Sequence, residues 1–132
     1  MSGEKIIVSG GNQKVIEVNK FVEKYVAVWN ESDESTRRKV IAELWTRDGN
    51  HFAEGIEARG YDEIEKRIAS AHDEFVRKGG YIFVRANLSK ALQNAVVYSW
   101  DMLPSQGGEV VASGIVFLIL DDNGQIRTEY QF

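Results

Sequence analysis

The spacing of apolar residues changes once along this chain. Before Gly79-Gly80 it repeats at helical period in three segments, and after it four segments alternate at the period of strands. Helices first and an antiparallel meander last define the α+β class. That order describes a curved sheet with helices over its concave side, which encloses a pocket.

The first helix is expected over 13–31. Val18, Phe21, Val22, Tyr25, Val26 and Trp29 form its apolar stripe, and Ser32 or Asp33 caps the next helix. That second helix is expected over 33–45, with Val40, Ile41, Leu44 and Trp45 as a short buried edge. His51 to Ala53 reads as a short strand, and Arg59-Gly60 closes a connecting loop. The third helix is expected over 61–78, with Ile64, Ile68, Ala71, His72 and Phe75 on one face and Gly79-Gly80 as its stop. Strands are expected over 81–89, 93–103, 109–121 and 125–132.

The chain has 132 residues, enough for one domain to bury roughly two-thirds of its unfolded surface. It has no cysteine, which excludes disulfides and thiolate metal sites and is compatible with a reducing compartment. The net charge of −4 comes from interspersed charges with no basic stripe, so no nucleic-acid partner is expected. No apolar run approaches the ~20 residues that span a bilayer, so no membrane partner is expected either. The apolar run in MSGEKIIVSGGNQK is too short for a signal peptide. Residues 1–12 are expected to be a loose leader, 13–132 a single domain, and the location cytoplasmic.

Asn123-Gly124 between two apolar runs is a strong hairpin signal. Read as a two-residue turn, it puts Asp122 opposite Gln125. Val116, Leu118, Arg127, Glu129 and Gln131 then share one face, and Ile115, Phe117, Ile119, Ile126, Thr128, Tyr130 and Phe132 the other. Across the earlier hairpin, the best pairing adds Ser99 and Asp101 to the polar set and Tyr98, Trp100 and Met102 to the aromatic set. Either set can face the helices, and a bulge would switch the faces partway. The segment VVASGIVFLIL at 110–120 is apolar on both faces, which calls for burial on both sides. One layer of helices cannot supply that, so a homodimer through the sheet is expected.

Four segments, FVEKYVAVWNESD, ELWTRDGNHF, ARGYDEIEKRI and DDNGQIRTEYQF, together resemble the nuclear transport factor 2-like superfamily, and within it the SnoaL-like (polyketide cyclase/ketosteroid isomerase-like) group. The resemblance lies in hydrophobic pattern and element order and covers about 14–132. It implies a cone-shaped NTF2-like fold, with three N-terminal helices packed on a curved, mainly antiparallel sheet. It implies no single activity, because isomerases, cyclases, dehydratases, epoxide hydrolases and non-catalytic proteins share the superfamily. In a comparison with the ketosteroid isomerases, Tyr25 matches the tyrosine of the first helix. The base falls near Ala53 and the oxyanion-binding acid near Val116, and neither residue can do that work. Glu54 would point to the other face unless the strand is bulged.

The catalytic candidates are His72 and His51 as base or acid, Tyr25 as donor to a substrate oxygen, and Glu129 or Asp101 as an orienting carboxylate. The ligand-binding candidates are Trp29, Phe52, Phe75, Trp100 and Arg127. Each has a plainer reading as a bonded core residue or a cross-strand pair, and Arg37-Arg38-Lys39 reads as a solvated helix face. The expected ligand is a small apolar organic molecule. No cofactor is expected and no metal. The expected chemistry is cofactor-independent isomerisation, cyclisation or dehydration of a carbonyl-bearing substrate. The alternatives are a non-catalytic ligand-binding or association domain, and an epoxide-hydrolase-like enzyme using Asp101, Arg127 and Glu129 together.

Overall fold

Glu17 decides where the first helix begins. Its carboxylate accepts from the backbone N–H groups of Asn19 and Lys20, each at 3.0 Å, and so caps α1 (Val18–Asn30). The computed structural model of the chain describes residues 5–8 and 14–132, with side chains from Glu17 onward. Lys14–Glu17, expected as the first turn of that helix, is instead a strand, β2, paired antiparallel with β1 (Lys5–Val8). The β-branched Val15 and Ile16 suit a strand better than a helix start. Residues 1–4 and 9–12 of the expected leader lie outside the described residues.

After α1 come α2 (Glu34–Leu44), β3 (Trp45–Ala53), β4 (Ile56–Arg59) and α3 (Gly60–Ala71). A π-helical segment, His72–Lys78, continues α3. It is followed by β5 (Tyr81–Leu92), β6 (Ala95–Pro104), β7 (Ala112–Leu120) and β8 (Ile126–Gln131). Asp33 caps α2, accepting from Thr36 N–H at 2.9 Å. Two connections differ from the sequence reading: β3 is a full strand of nine residues, and the stretch before Gly60 is β4 rather than a loop. The third helix widens at His72 instead of running uniformly to 78. The run at 37–39 is not uniformly wet, because Arg37 is buried and bonds Glu65 at 2.8 Å and the Glu31 carbonyl at 2.8 Å.

Strands β3–β8 form one six-stranded sheet in the order β4-β3-β8-β7-β6-β5. Every neighbouring pair is antiparallel except β3 with β8. Besides the shift from Trp45↔Ile126 to Asn50↔Thr128 between β3 and β8, two bulges bend it. Between β5 and β6 the register moves from Arg85↔Trp100 to Ser89↔Tyr98, so three residues oppose one, and Ser99 Oγ takes the Leu88 N–H at 2.9 Å. Between β7 and β8, Leu120↔Ile126 is followed by Ile119↔Thr128, which leaves Arg127 as an extra residue.

That second bulge corrects the predicted faces. The hairpin loop has three residues, not two. Asp121 N–H donates to Gln125 O at 2.7 Å, and Gly124 takes a left-handed φ of +82°. The longer loop and the bulge offset one another, so Leu118 still faces Glu129. Ile126 moves to the inner face with Glu129, and Arg127 is exposed. In β6 the expected assignment is reversed. Tyr98 pairs with Val116 and Trp100 with Gly114, so Tyr98, Trp100 and Met102 lie on the inner face. Asp101 lies on the outer face, bonded by Ser113 Oγ at 2.8 Å.

The inner face packs on α1 and α3 around Tyr25, Trp45 and Tyr98, whose rings sit 5.4 Å apart in the Tyr25–Trp45 and Tyr25–Tyr98 pairs. The outer face carries exposed Ile115, Phe117, Tyr130 and Phe132.

Candidate functional site

A line of polar side chains crosses the interior of the cone. Its members come from four elements: Tyr25 from α1, His51 from β3, Arg67 from α3, and Glu129 with Gln131 from β8. The parallel register sets His51 directly beside Glu129, and the alternation of β8 turns Glu129 and Gln131 inward together. Tyr25 donates its hydroxyl to Glu129 Oε2. His51 Nδ1 lies 2.7 Å from Glu129 Oε1. Arg67 Nε donates to His51 Nε2 at 3.2 Å, and Arg67 Nη2 to Gln131 Oε1 at 3.0 Å. Tyr25, His51 and Glu129 have no exposed surface.

The arginine assigns the histidine's tautomer. A guanidinium only donates, so Nε2 of His51 must be the accepting nitrogen and Nδ1 carries the hydrogen given to Glu129. A second proton has no place to go, and burial with Arg67 alongside pushes the imidazole down to about 3. The Glu129 carboxyl moves the other way. Burial raises it well above its ordinary range, while the donors on both its oxygens favour the charged form.

This line ends at a hollow. A cavity of about 80 Å³ lies between Trp29, Phe75, Phe83 and Trp100, with Arg67, Tyr98 and Gln131 as its polar lining. Arg67, Trp100 and Gln131 also border a wider vestibule of about 620 Å³ that continues to Phe52, Tyr130 and Phe132. The guanidinium therefore stands between inner and outer chambers, stacked over the Trp29 ring at 5.4 Å. Ala53 and Glu54 border the vestibule, Glu54 from an exposed turn. Val116 is buried on the inner face.

The candidate residues therefore separate. Trp29, Phe75 and Trp100 wall the cavity, and Phe52 walls the vestibule. Tyr25, His51 and Glu129 form one bonded unit behind Arg67. His72 stands apart. It borders a surface depression of about 630 Å³ with Asn30, Ser32 and Arg37, and burial lowers its titration. Asp101 and Arg127 are off the inner face, so the set of Asp101, Arg127 and Glu129 that a hydrolase reading needs is not assembled. Among the described residues, no group of three His, Asp or Glu side chains is placed to hold a metal.

Arg67 is the residue the sequence reading missed, because Lys66, Arg67 and Ser70 pass for the wet side of α3. Its spacing carries the signal: Ile64, Arg67, Ile68 and Ala71 fall at i, i+3, i+4 and i+7, which places a charge inside the apolar stripe.

No family model matches the chain, and no curated protein does. Solved structures do. A protein from Agrobacterium tumefaciens assigned as an isomerase of the SnoaL-like family is 26% identical, with a TM-score of 0.79 over 87% of this chain and 95% of that chain. A protein from Kribbella flavida assigned as a ketosteroid isomerase is 17% identical, with a TM-score of 0.62 over 87% and 76%. A de novo designed NTF2 fold protein is 15% identical, with a TM-score of 0.67 over 87% and 82%. The last two likenesses are of fold alone. Among the described residues, no helix is long and apolar enough to cross a membrane.

Proposed function

We propose that this chain, a SnoaL-like member of the nuclear transport factor 2-like superfamily, binds a small carbonyl-bearing molecule in the cone and moves a proton on it without a cofactor. The observation that carries this reading is the position of Arg67. It meets the cavity on one side and the His51–Glu129–Tyr25 unit on the other. A substrate oxygen that takes the guanidinium's hydrogens draws them from His51 and uncovers Nε2. The uncovered nitrogen accepts a proton from the carbon beside the carbonyl, the electron pair moves to the oxygen, and Arg67 stabilises the enolate. Glu129 holds the Nδ1–H and balances the imidazolium, and Tyr25 fixes Glu129. Return of the proton to a different carbon completes an isomerisation. Cyclisation and dehydration begin from the same enolate.

The test is deuterium uptake in D2O, followed by proton NMR, with small β,γ-unsaturated cyclic ketones as probes. Uptake should be catalysed, and His51→Gln should slow it by about 10²–10⁴-fold. Absence of exchange across the series, or an unchanged rate in His51→Gln, refutes the reading.

The second reading is a ligand carrier without turnover. It is favoured by the complete burial of His51 and by Arg67 closing Nε2 in the free protein. Binding without exchange would select it.

The exposed apolar residues of the outer face, Ile115, Phe117, Tyr130 and Phe132, support pairing of two copies through their sheets. Sedimentation velocity of the parent and of Phe117→Asp tests this. A monomeric parent refutes it.

A further inference from the structure

The cone supplies charge and hydrogens but very little to accept them. Among the described residues Arg67 makes two hydrogen bonds, both to neutral acceptors, His51 Nε2 and Gln131 Oε1, and none from Nη1. No carboxylate pairs with it among the described residues. Glu74, an exposed residue, acts on it only from farther away, and Glu129 lies beyond the imidazole. Gln131 spends its oxygen on Arg67 and keeps its amide N–H groups. Tyr98 makes no hydrogen bond among the described residues, and its burial keeps the hydroxyl protonated. The walls at Trp29, Phe75, Phe83 and Trp100 are aromatic.

We propose that the cognate ligand is a monocarboxylate with an aromatic or cyclic body, its carboxylate seated on Arg67 and Gln131 and its ring between Trp29, Phe75 and Trp100. The proposal rests on the cone being the ligand site and deepens that reading: the carboxylate takes Nη1 of Arg67 and the Gln131 amide, which leaves the Nε–H for the carbonyl oxygen of the proton-transfer step. A carboxylate offers acceptors only, and against a guanidinium it forms charge-assisted hydrogen bonds that a neutral oxygen cannot match. The aromatic walls reject small hydrated anions, which would lose their water without replacement. Glu54 at the outer rim of the vestibule repels a second carboxylate and so sets the orientation, with charge inward and the ring between the indoles.

The experiment is isothermal titration calorimetry on the full chain at pH 7 with benzoate, benzamide and benzyl alcohol, which share a ring and differ in the head group. Benzoate should bind about tenfold or more tighter than benzamide, and its affinity should weaken with added salt. Arg67→Met should bring benzoate down to the benzamide level measured on the same variant, with thermal melting confirming a folded variant. The comparison of the three probes on the parent stands without any variant. No benzoate binding at millimolar concentration, or benzamide binding as tightly as benzoate, overturns the proposal. Benzoate binding with no exchange in any ketone would retire the proton-transfer reading alone. Exchange in neutral ketones with no benzoate binding would retire this proposal alone.

Discussion

Acidification should expose His51 before any other group of the interior. Its Nε2 accepts from Arg67 at 3.2 Å, and the ring is wholly enclosed. A proton added there sets a new cation against the guanidinium and breaks that bond. The folded imidazole titrates near 3, and an unfolded one near 6.5. Between those values the unfolded chain binds a proton that the folded chain refuses. The contribution of His51 to stability is therefore complete above pH 6.5 and lost as pH falls toward 3. The slope is about 1.4 kcal/mol per pH unit, or about 3 kcal/mol from pH 6.5 to 4.5. Glu129 works in the opposite sense: with its carboxyl raised above 4.5, its contribution is complete below that value and fades as pH rises through the raised one. His72, lowered by burial, adds to the acid loss. A comparison of the parent with His51→Gln separates these effects, since glutamine can still donate to Glu129 and accept from Arg67 but cannot titrate. Urea unfolding followed by circular dichroism at the two pH values should show the parent losing about 3 kcal/mol more than the variant. Losses equal within about 0.5 kcal/mol, the scatter of a neutral surface change, would refute the assignment of a neutral, arginine-capped imidazole.

Other substitutions probe the frame around the site. Arg37→Met should cost about 3–5 kcal/mol in urea unfolding, because it leaves the Glu65 carboxylate enclosed without its cation and the Glu31 carbonyl without its donor. Gly114→Ala places a methyl 2.5–2.6 Å from the Trp100 indole. It should cost about 1–3 kcal/mol and change the near-ultraviolet circular dichroism as that ring shifts. Asn30→Leu should cost about 2 kcal/mol in the same unfolding assay, since the Asn30 side chain serves both the N–H and the carbonyl of Phe83, at 2.9 and 2.7 Å.

Much of the frame was legible because apolar spacing reports which face is buried. The stripe from Val18 to Trp29 is buried as its spacing implies, and the alternation groups Leu118, Glu129 and Gln131 on one face without deciding which face meets the helices. What spacing does not report is where a strand takes in an extra residue. Arg127 was misplaced for that reason. Tyr98, Trp100 and Met102 were misjudged for another: the wide turn between β6 and β7 leaves their register open, and it falls at Tyr98↔Val116. The site was legible in its parts and not in its connections. His51, Tyr25 and Glu129 were each singled out, but their joining depends on the parallel pairing of β3 with β8, a contact between segments 78 residues apart. Nothing local in the chain encodes that pairing. His72 drew attention because it shares a helical face with Phe75, but it borders Asn30, Ser32 and Arg37, while Phe75 within the π-helical segment walls the cavity.

The surplus residue at 127 is slack in the last strand. Remove it, and Thr128 would follow Ile126 directly opposite Ile119, a regular ladder in which Glu129 still lies against Leu118 and still turns toward Tyr25 and His51. The interior therefore does not depend on Arg127, and the strand can shed that one residue without turning its acid outward.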